Sequence, residues 1–598
     1  MHLVLIETSG NQNYIFSTNK LKENIGASEL TYRAGTSWVV EAVDRVRGAS
    51  ESIHQVGQWV EEAIDRSISA NELRKKLLDV VEGWNKPIEA EDSKVEVIVA
   101  TSGKALLLTK DEDTAKSLIR YVTHKAIRYA PGLDICGVIH KFEWGNDLGK
   151  AVREVHKEHE AHRFRKPSLD LRFLRLPVID ECATSGLPAS TNKDNISGKY
   201  ISQVSAAKQK MGAKALERLS QLINDDQRQI RFAQTIRELN TKFEDELDWL
   251  AVIHADGNGL GQIFQDFDEL IQQTDDLDGD SQDRKYANAL RKFSIALDIC
   301  TETAFLKALD CFLKPEQANS QQEKMLIPIV PLILGGDDLT VVCDGRSALK
   351  FTQNFLCNFE AETQNQQYVE NQEINIINKI AQLALGARRL SACAGVTIIK
   401  PHFPFSVAYE LSESLMKSAK KVKEVVKNQQ GKLYPCSALD FHVLYDTSSV
   451  NLDSIRSKLE KDNKETKLYG RPYVITSETD LQGATGLDWV KVHKWELLQT
   501  RVKALKAKDE NDNNRRKLPN SQIHSLREAL FLGREVAEAR YRLIRDRYLQ
   551  EGIEKLEFEV KRGCLFCQEP DSNTYITGLI DAIEAADFIK LSEEQSDD

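Results

Sequence analysis

Ile329-Val330-Pro331-Leu332-Ile333-Leu334-Gly335-Gly336-Asp337-Asp338-Leu339-Thr340-Val341-Val342-Cys343 is the stretch whose reading decides the fold. Two apolar runs flank a short polar turn, which reads as a β-hairpin. The two glycines permit a tight turn and let a phosphate approach the backbone. Two adjacent carboxylates between hydrophobic strands are costly if left unpaired. Side chains alternate along a strand, so Asp337 and Asp338 point to different faces unless the turn bends them together. A divalent cation resolves the cost, since Mg²⁺ is commonly held by one or two carboxylates plus substrate phosphates.

Working outward, residues 250–258 (LAVIHADGN) form an apolar strand running into a small-residue turn. Asp256 ends that strand and supplies a third carboxylate, and Gly257-Asn258-Gly259 offers backbone N–H groups to a triphosphate. A helix over 348–359 and a strand over 390–399 (LSACAGVTII) follow the hairpin. The same order occurs earlier: 3–11 (LVLIETSGN), a hairpin at 95–109 (VEVIVATSGKALLLT), a helix over 114–127 and a strand at 133–140 (LDICGVIH). Strand, helix, hairpin, helix, strand is a ferredoxin-like palm. The expected fold is therefore α+β: two ferredoxin-like palm domains, with a helical insertion and a helical C-terminal domain. In this pairing Ser9 lies opposite Asp256, and Gly103-Lys104 opposite Asp337-Asp338. The first copy then lacks the carboxylate cluster and is expected to be catalytically silent, with Ser9 and Lys104 beside a second nucleotide. An exposed turn lysine is the plainer reading of Lys104.

The expected divisions are 1–145 for the first palm, 146–247 for a helical linker, 248–445 for the second palm and 446–598 for a mainly helical C-terminal domain. Residues 265–325 read as the insertion, with a polar acidic loop at 275–283; 509–513 read as a polar breaker and 592–598 as a disordered tail. The chain has 598 residues, with 80 Lys+Arg against 91 Asp+Glu, a net charge of −11. No global positive field for nucleic acid exists, though local basic patches remain open. The 10 cysteines are scattered, which suggests a reducing, cytoplasmic compartment. The N-terminus lacks a basic leader, and no apolar run approaches about 18 residues, so no membrane partner is expected.

At these residues the chain resembles the large polymerase-like subunit of type III CRISPR effector complexes, subtype B in particular. The resemblance rests on Gln12-Asn13-Tyr14-Ile15-Phe16, Leu21, Gly26-Ala27-Ser28-Glu29-Leu30, Gly335-Gly336-Asp337-Asp338, 391–396, the helix at 412–420 and Arg471-Pro472-Tyr473. It implies two palms facing one another across two ATP molecules, the second polymerising ATP into cyclic oligoadenylate for antiviral defence. It implies Asp256, Asp337 and Asp338 as catalytic ligands of a two-metal Mg²⁺ or Mn²⁺ site. Gly257, Asn258, Gly335, Gly336 and Lys420 would meet phosphate, and Ser28 would lie near a nucleotide in the first palm, with helix capping as its competing role. The implied partners are ATP, CRISPR RNA, target RNA and effector-complex subunits, or a second copy of the chain if it stands alone. Two departures matter. No His-Asp dipeptide occurs, so DNA cleavage by the family's HD nuclease is not expected. The family's zinc ribbon is reduced to Cys182 in CATSGLPA, with Cys564 and Cys567 as a distant CxxC; zinc at these three requires the ends to meet in space.

Two rival functions stand beside this one: a cyclase making another cyclic nucleotide as a standalone enzyme, and a non-catalytic scaffold of an RNA-guided complex. Scaffolding alone requires none of the three aspartates. His156, His159 and His162 sit among charged residues on a helix and read as a solvated polar face. Arg515-Arg516-Lys517 and 503–508 read likewise as solvated charged helix rather than an RNA contact.

Overall fold

The computed structural model describes residues 1–48, 67–80, 83–145, 147–164, 169–194, 197–225, 230–240, 249–274, 279–313, 325–369, 372–374, 376–445, 450–508, 516–570 and 572–589. The breaker at 509–513 and the tail at 592–598 lie outside the described residues.

The first sheet is built from β1 (His2–Ser9), β2 (Val95–Thr101), β3 (Lys104–Thr109) and β4 (Asp134–Lys141). Its order is β2-β3-β1-β4, antiparallel throughout. Its helices are α1 (Asn11–Ile15), α2 (Leu21–Gly35), α3 (Ser37–Gly48), α4 (Ala70–Leu78) and α5 (Glu112–Tyr129). The Asp111 side chain caps α5 by accepting the Thr114 N–H at 2.7 Å, which fixes where the chain turns from strand to helix. Gly137 of β4 faces Ile119 of α5, so α5 covers that face. The opposite face, carrying Glu7 and Lys104, is covered by α6 (Leu148–Arg163).

Between the palms, α7 (Gln203–Asp225) packs along α2. A Cβ on Gly26 would lie 1.8 Å from the Lys208 carbonyl oxygen, so glycine permits this crossing. The Gly26-containing motif therefore serves a helix contact. Ile230–Phe232 pairs in parallel with Met325–Ile327, joining the linker to the insertion.

The second sheet repeats the first and extends it. Its strands are β5 (Leu250–Gly257), β6 (Ile329–Gly335), β7 (Asp338–Asp344), β8 (Ala392–Ile399), β9 (Ala438–Val443) and β10 (Tyr473–Val474). The order is β10-β9-β8-β5-β7-β6. Four neighbouring strands, β6-β7-β5-β8, repeat the first sheet's arrangement; β9 adds in parallel to β8, and β10 antiparallel to β9. Residues 473–474 thus complete this sheet, although the expected division assigned them to the C-terminal part. The long helices are α8 (Gln282–Ala308), α9 (Gly345–Gln364) and α10 (Phe405–Ala419). Asp283, expected in a polar loop, is instead buried in the first turn of α8 and accepts the N–H groups of Gly145 (2.7 Å) and Leu148 (3.0 Å). Its carboxylate answers backbone donors at the start of α6.

Both hairpins carry a bulge at the same place, between Val97 and Val99 in β2 and between Pro331 and Ile333 in β6. In each the bulge ends two residues before the strand's last residue, Thr101 and Gly335. A shared irregularity at one register position is what a duplicated unit would show.

The helix α8 holds the palms together. Glu96 of β2 is fully buried and accepts from Arg284 at 2.6 and 2.8 Å, from Arg291, and from the Ile88 N–H at 2.8 Å. Burial pushes the Glu96 carboxyl up, and the two arginines outweigh it and hold it below its usual range. A buried carboxylate between two cations tolerates the loss of one partner poorly. Glu96→Gln keeps the shape and removes the charge, and is expected to cost about 2 kcal/mol. Chemical unfolding should show a lower midpoint at unchanged slope; an unmoved midpoint would mean the triad adds nothing.

Candidate active site

Gly335 pairs with Asp338 to close the β6–β7 hairpin. Gly336 occupies the turn at φ +59°, a left-handed conformation that favours glycine. The β5–β7 register runs to Ala255↔Leu339, so the next step sets Asp256 opposite Asp338. Strand alternation puts His254 on the same face as Asp256. Asp337, in the turn, folds back over the end of β5: a Cβ on Gly257 would lie 2.8 Å from Asp337 Oδ2. Gly257 therefore makes room for Asp337, and the turn does bend both aspartates to one place. Burial, then Asp256 and Asp338, push the Asp337 carboxyl up to about 7, and it shares a hydrogen bond with Asp256.

Lys420 and His254 face this cluster. Lys420, at the end of α10, pairs its ammonium with Asp256 and donates to the Gly257 carbonyl at 3.0 Å. His254 Nδ1 lies 3.3 Å from Asp338 Oδ1 and 3.0 Å from Thr340 Oγ1. Burial pushes the His254 ring down in pKa, while Asp338 and Asp256 outweigh it and raise it. The ring leans on Tyr409 of α10 at 5.2 Å, and Tyr409 stacks on Phe16 of the first palm at 4.6 Å. The Phe405 N–H also donates to Asn19 Oδ1 at 2.8 Å. The first palm's motif after β1 is thus a wall against the helix that carries Lys420.

Among the described residues no group of three His, Cys, Asp or Glu side chains is arranged to hold a metal ion as it stands. Lys420 occupies Asp256, and His254 faces Asp338. The donor chemistry still suits a hard divalent cation: three crowded carboxylates, one of them pushed up to about 7 by burial and then by its neighbours, and Asp338 Oδ1 buried without a hydrogen bond.

The sequence reading missed Asp298 and Thr301 of α8. Asp298 accepts the Gly336 N–H, and the Thr301 hydroxyl donates to the Gly336 carbonyl. Burial pushes the Asp298 carboxyl up to about 6, against Arg74 and the Gly336 N–H, which favour its charged form. Nothing in the hairpin sequence points to these residues, because they come from the insertion.

In the first palm the register agrees with the expected place of Lys104 and corrects that of Ser9. Thr101 pairs with Lys104 as Gly335 pairs with Asp338, so Lys104 holds the position of Asp338. Glu7, not Ser9, pairs with Lys104 and holds the position of Asp256. Ser9 lies two residues further on, against Asp134 of β4. A slip of two preserves the inward face, so hydrophobic pattern alone could not detect it. Lys104 Nζ lies 3.8 Å from Glu7 and 3.1 Å from His156 Nε2. Burial, then Lys104 and His159, hold His156 down at about 4, so the ring is neutral near pH 7. His156 and His159 do not belong to a solvated face: α6 turns both toward the sheet, and His159 is buried.

Three other expectations change. Asn258 is buried and donates to Ser391 Oγ (3.1 Å), Cys393 Sγ (3.2 Å) and the Cys436 carbonyl (3.1 Å), so it braces the turn rather than facing a nucleotide. Ser28 sits in the interior of α2, whose N-cap is Lys20, so it caps nothing. Cys182 packs against Thr184 and Ser205, whereas Cys567 pairs with Ile576 in a small C-terminal sheet. The described residues hold no cluster uniting Cys182, Cys564 and Cys567, which removes the zinc expectation. No described helix is long and apolar enough to cross a membrane.

No curated protein matches the chain. Among solved structures it is similar to a chain of the Type III-B Cmr-beta apo state, at 11% identity over 97% of this chain and 81% of that one, with a TM-score of 0.48. It is also similar to a Csm1–Csm4 cassette in complex with cA4, at 12% identity over 91% of this chain and 62% of that one, TM-score 0.40. Csm1 in T. onnurineus gives 13% identity over 92% and 64%, TM-score 0.38. Likeness at that level decides nothing about chemistry. The sequence match is sharper and falls on the hairpin just described: residues 249–430 match the family model of the Cas10/Cmr2 second palm domain.

Proposed function

We propose that the chain is a divalent-cation-dependent nucleotidyltransferase that joins ATP into cyclic oligoadenylate. The observation that carries this reading is the gathering of Asp256, Asp337 and Asp338 at one hairpin tip beside Lys420, inside a Cas10/Cmr2 second palm. In the reaction the 3′-hydroxyl oxygen of one ATP attacks the α-phosphorus of another. The new O–P bond forms as the α–β bridge breaks, pyrophosphate leaves and the hydroxyl proton is lost. Repetition, and a last attack on the 5′ end, closes the ring.

Asp256, Asp337 and Asp338 would hold Mg²⁺ or Mn²⁺. When bound, such a cation lowers the pKa of the attacking hydroxyl and offsets charge on the leaving pyrophosphate. The chain's own groups position and neutralise. Lys420 leaves Asp256 for a phosphate oxygen. Gly335 and Gly336 keep side chains away from the hairpin tip, and Gly257 leaves room for Asp337. Tyr409 and Phe16 close one wall and exclude water. In the first palm the Glu7–Lys104 pair stands where the second has two carboxylates. That palm would hold a nucleotide beside Lys104 and Ser28 without catalysing. Guide RNA, target RNA and type III effector subunits are the proposed partners.

The test is incubation of the purified chain with each NTP and Mg²⁺ or Mn²⁺, with and without guide complex and target RNA, followed by mass spectrometry. Cyclic adenylates are expected, and EDTA should abolish them. A guanine-containing ring would reassign the base. No product in any combination, with nucleotide binding retained, would favour the scaffold.

A further inference from the structure

The Gly336 peptide is gripped on both sides by one helix. Asp298 takes its N–H and Thr301 donates to its carbonyl, one turn apart on α8. Hairpin tips usually leave such groups to water. A glycine there samples more backbone conformations than any other residue. Among the described residues the hydrogen bond of Asp298 goes to Gly336 and not to Asp256, Asp337 or Asp338, so its influence runs through the shape of the turn.

The grip is anchored in the other palm. Arg74 of α4 pairs with Glu302 at 2.7 Å, one turn beyond Asp298, and acts electrostatically on Asp298 itself. The two hairpin tips meet here: a Cβ on Gly335 would lie 3.9 Å from Ser102 Cβ and 3.6 Å from Asp298 Oδ1. Tyr32, Arg74, Thr101, Ser102, Asp298 and Gly335 line the small cavity between the palms.

We infer that Asp298 is a positioning residue: with Thr301 it fixes the Gly336 peptide, and so sets where Asp337 stands against Asp256. The effect on rate rests on the nucleotidyltransfer reading; the clamp itself does not. A competing role is that Asp298 merely supplies counter-charge to Arg74. Asparagine separates the two, because it keeps an acceptor for the Gly336 N–H and loses the charge.

Asp298→Ala, Asp298→Asn and Thr301→Val are compared with the wild type in the full chain, with unfolding midpoints as a check on folding. Amide hydrogen exchange is followed in peptides covering residues 329–344, and kcat and KM are measured for ATP. Asp298→Ala is expected to speed exchange at the turn about tenfold or more, as loss of a charge-assisted bond implies. It should lower kcat about 10- to 100-fold with KM within about twofold, the signature of misplacement rather than lost binding. Asp298→Asn should stay within about threefold of wild type in both readouts, and Thr301→Val should fall between. Equal damage from Asn and Ala, or unchanged exchange in Asp298→Ala, would overturn the inference. A wild type that makes no product would defeat the nucleotidyltransfer reading, while the exchange comparison would still decide the clamp.

Discussion

Alanine at Asp256 or Asp338 is expected to lower nucleotidyl transfer by about three orders of magnitude or more, the scale seen when a group stabilising developing charge is removed. The two residues stand opposite one another on adjacent strands and share a neighbour in Asp337. Groups that act together are not additive, so the double variant should be little worse than either single one. Product formation is the first readout and calorimetric ATP binding the second. Retention of more than about a tenth of the rate in Asp338→Ala would place the reaction elsewhere, because a lost charge-stabilising group costs far more than that. Unfolding can be told apart from lost chemistry. The cation-free site crowds three acids, and burial together with Asp256 and Asp338 drives Asp337 up to about 7. Asp337→Asn removes one of them, so it should raise the cation-free unfolding midpoint while abolishing turnover. Sites that strain the resting fold often show this trade.

A large loss of stability is expected from Gly395→Ala. Gly395 of β8 pairs with His254 of β5, beneath α10. A Cβ there would sit 1.9 Å from the Ser412 carbonyl oxygen and 2.5 Å from the Met416 amide nitrogen. Both are backbone atoms, so no rotamer change relieves the clash. The helix must lift from the sheet, taking Tyr409 and Lys420 with it. A cost of roughly 4 kcal/mol or more follows, above ordinary overpacking because the obstacle is backbone. Thermal unfolding and protease resistance check it. Gly261→Ala, at a helical position with nothing within 4 Å, is the control expected to leave both unchanged. Normal unfolding of Gly395→Ala would mean that the helix–strand approach is looser than described.

Periodicity and turn chemistry made the two palms readable. Apolar runs around glycine turns fixed both hairpins, and the repeated strand–helix order gave the layering. Asp256 could be chosen because it ends an apolar strand that must neighbour the hairpin. The failures share a cause. Register within a strand is invisible to a two-residue slip, which hid Glu7 behind Ser9. An asparagine after Asp-Gly looks the same whether it faces a phosphate or, as Asn258 does, braces a turn from within. Asp298 and Thr301 lie on α8, far from the hairpin in sequence, and only the path of that helix brings them to Gly336. Cys182 and the CxxC at 564–567 had suggestive spacing, but spacing cannot report whether distant ends meet.

The helix α8 has a consequence for what counts as a part of this molecule. It is inserted between the first and second strands of the second sheet, yet its arginines end on a strand of the first. The buried apolar side chains of both sheets also form one continuous cluster. Residues 249–430, which carry the family signature, are therefore not a portable module. Cut free, that segment would keep its hairpin tip but expose Arg284 and Arg291 without their acid, and the grip on Gly336 would hang from an unsupported helix. The first palm is then not a spare. It is the bench on which the other is held true.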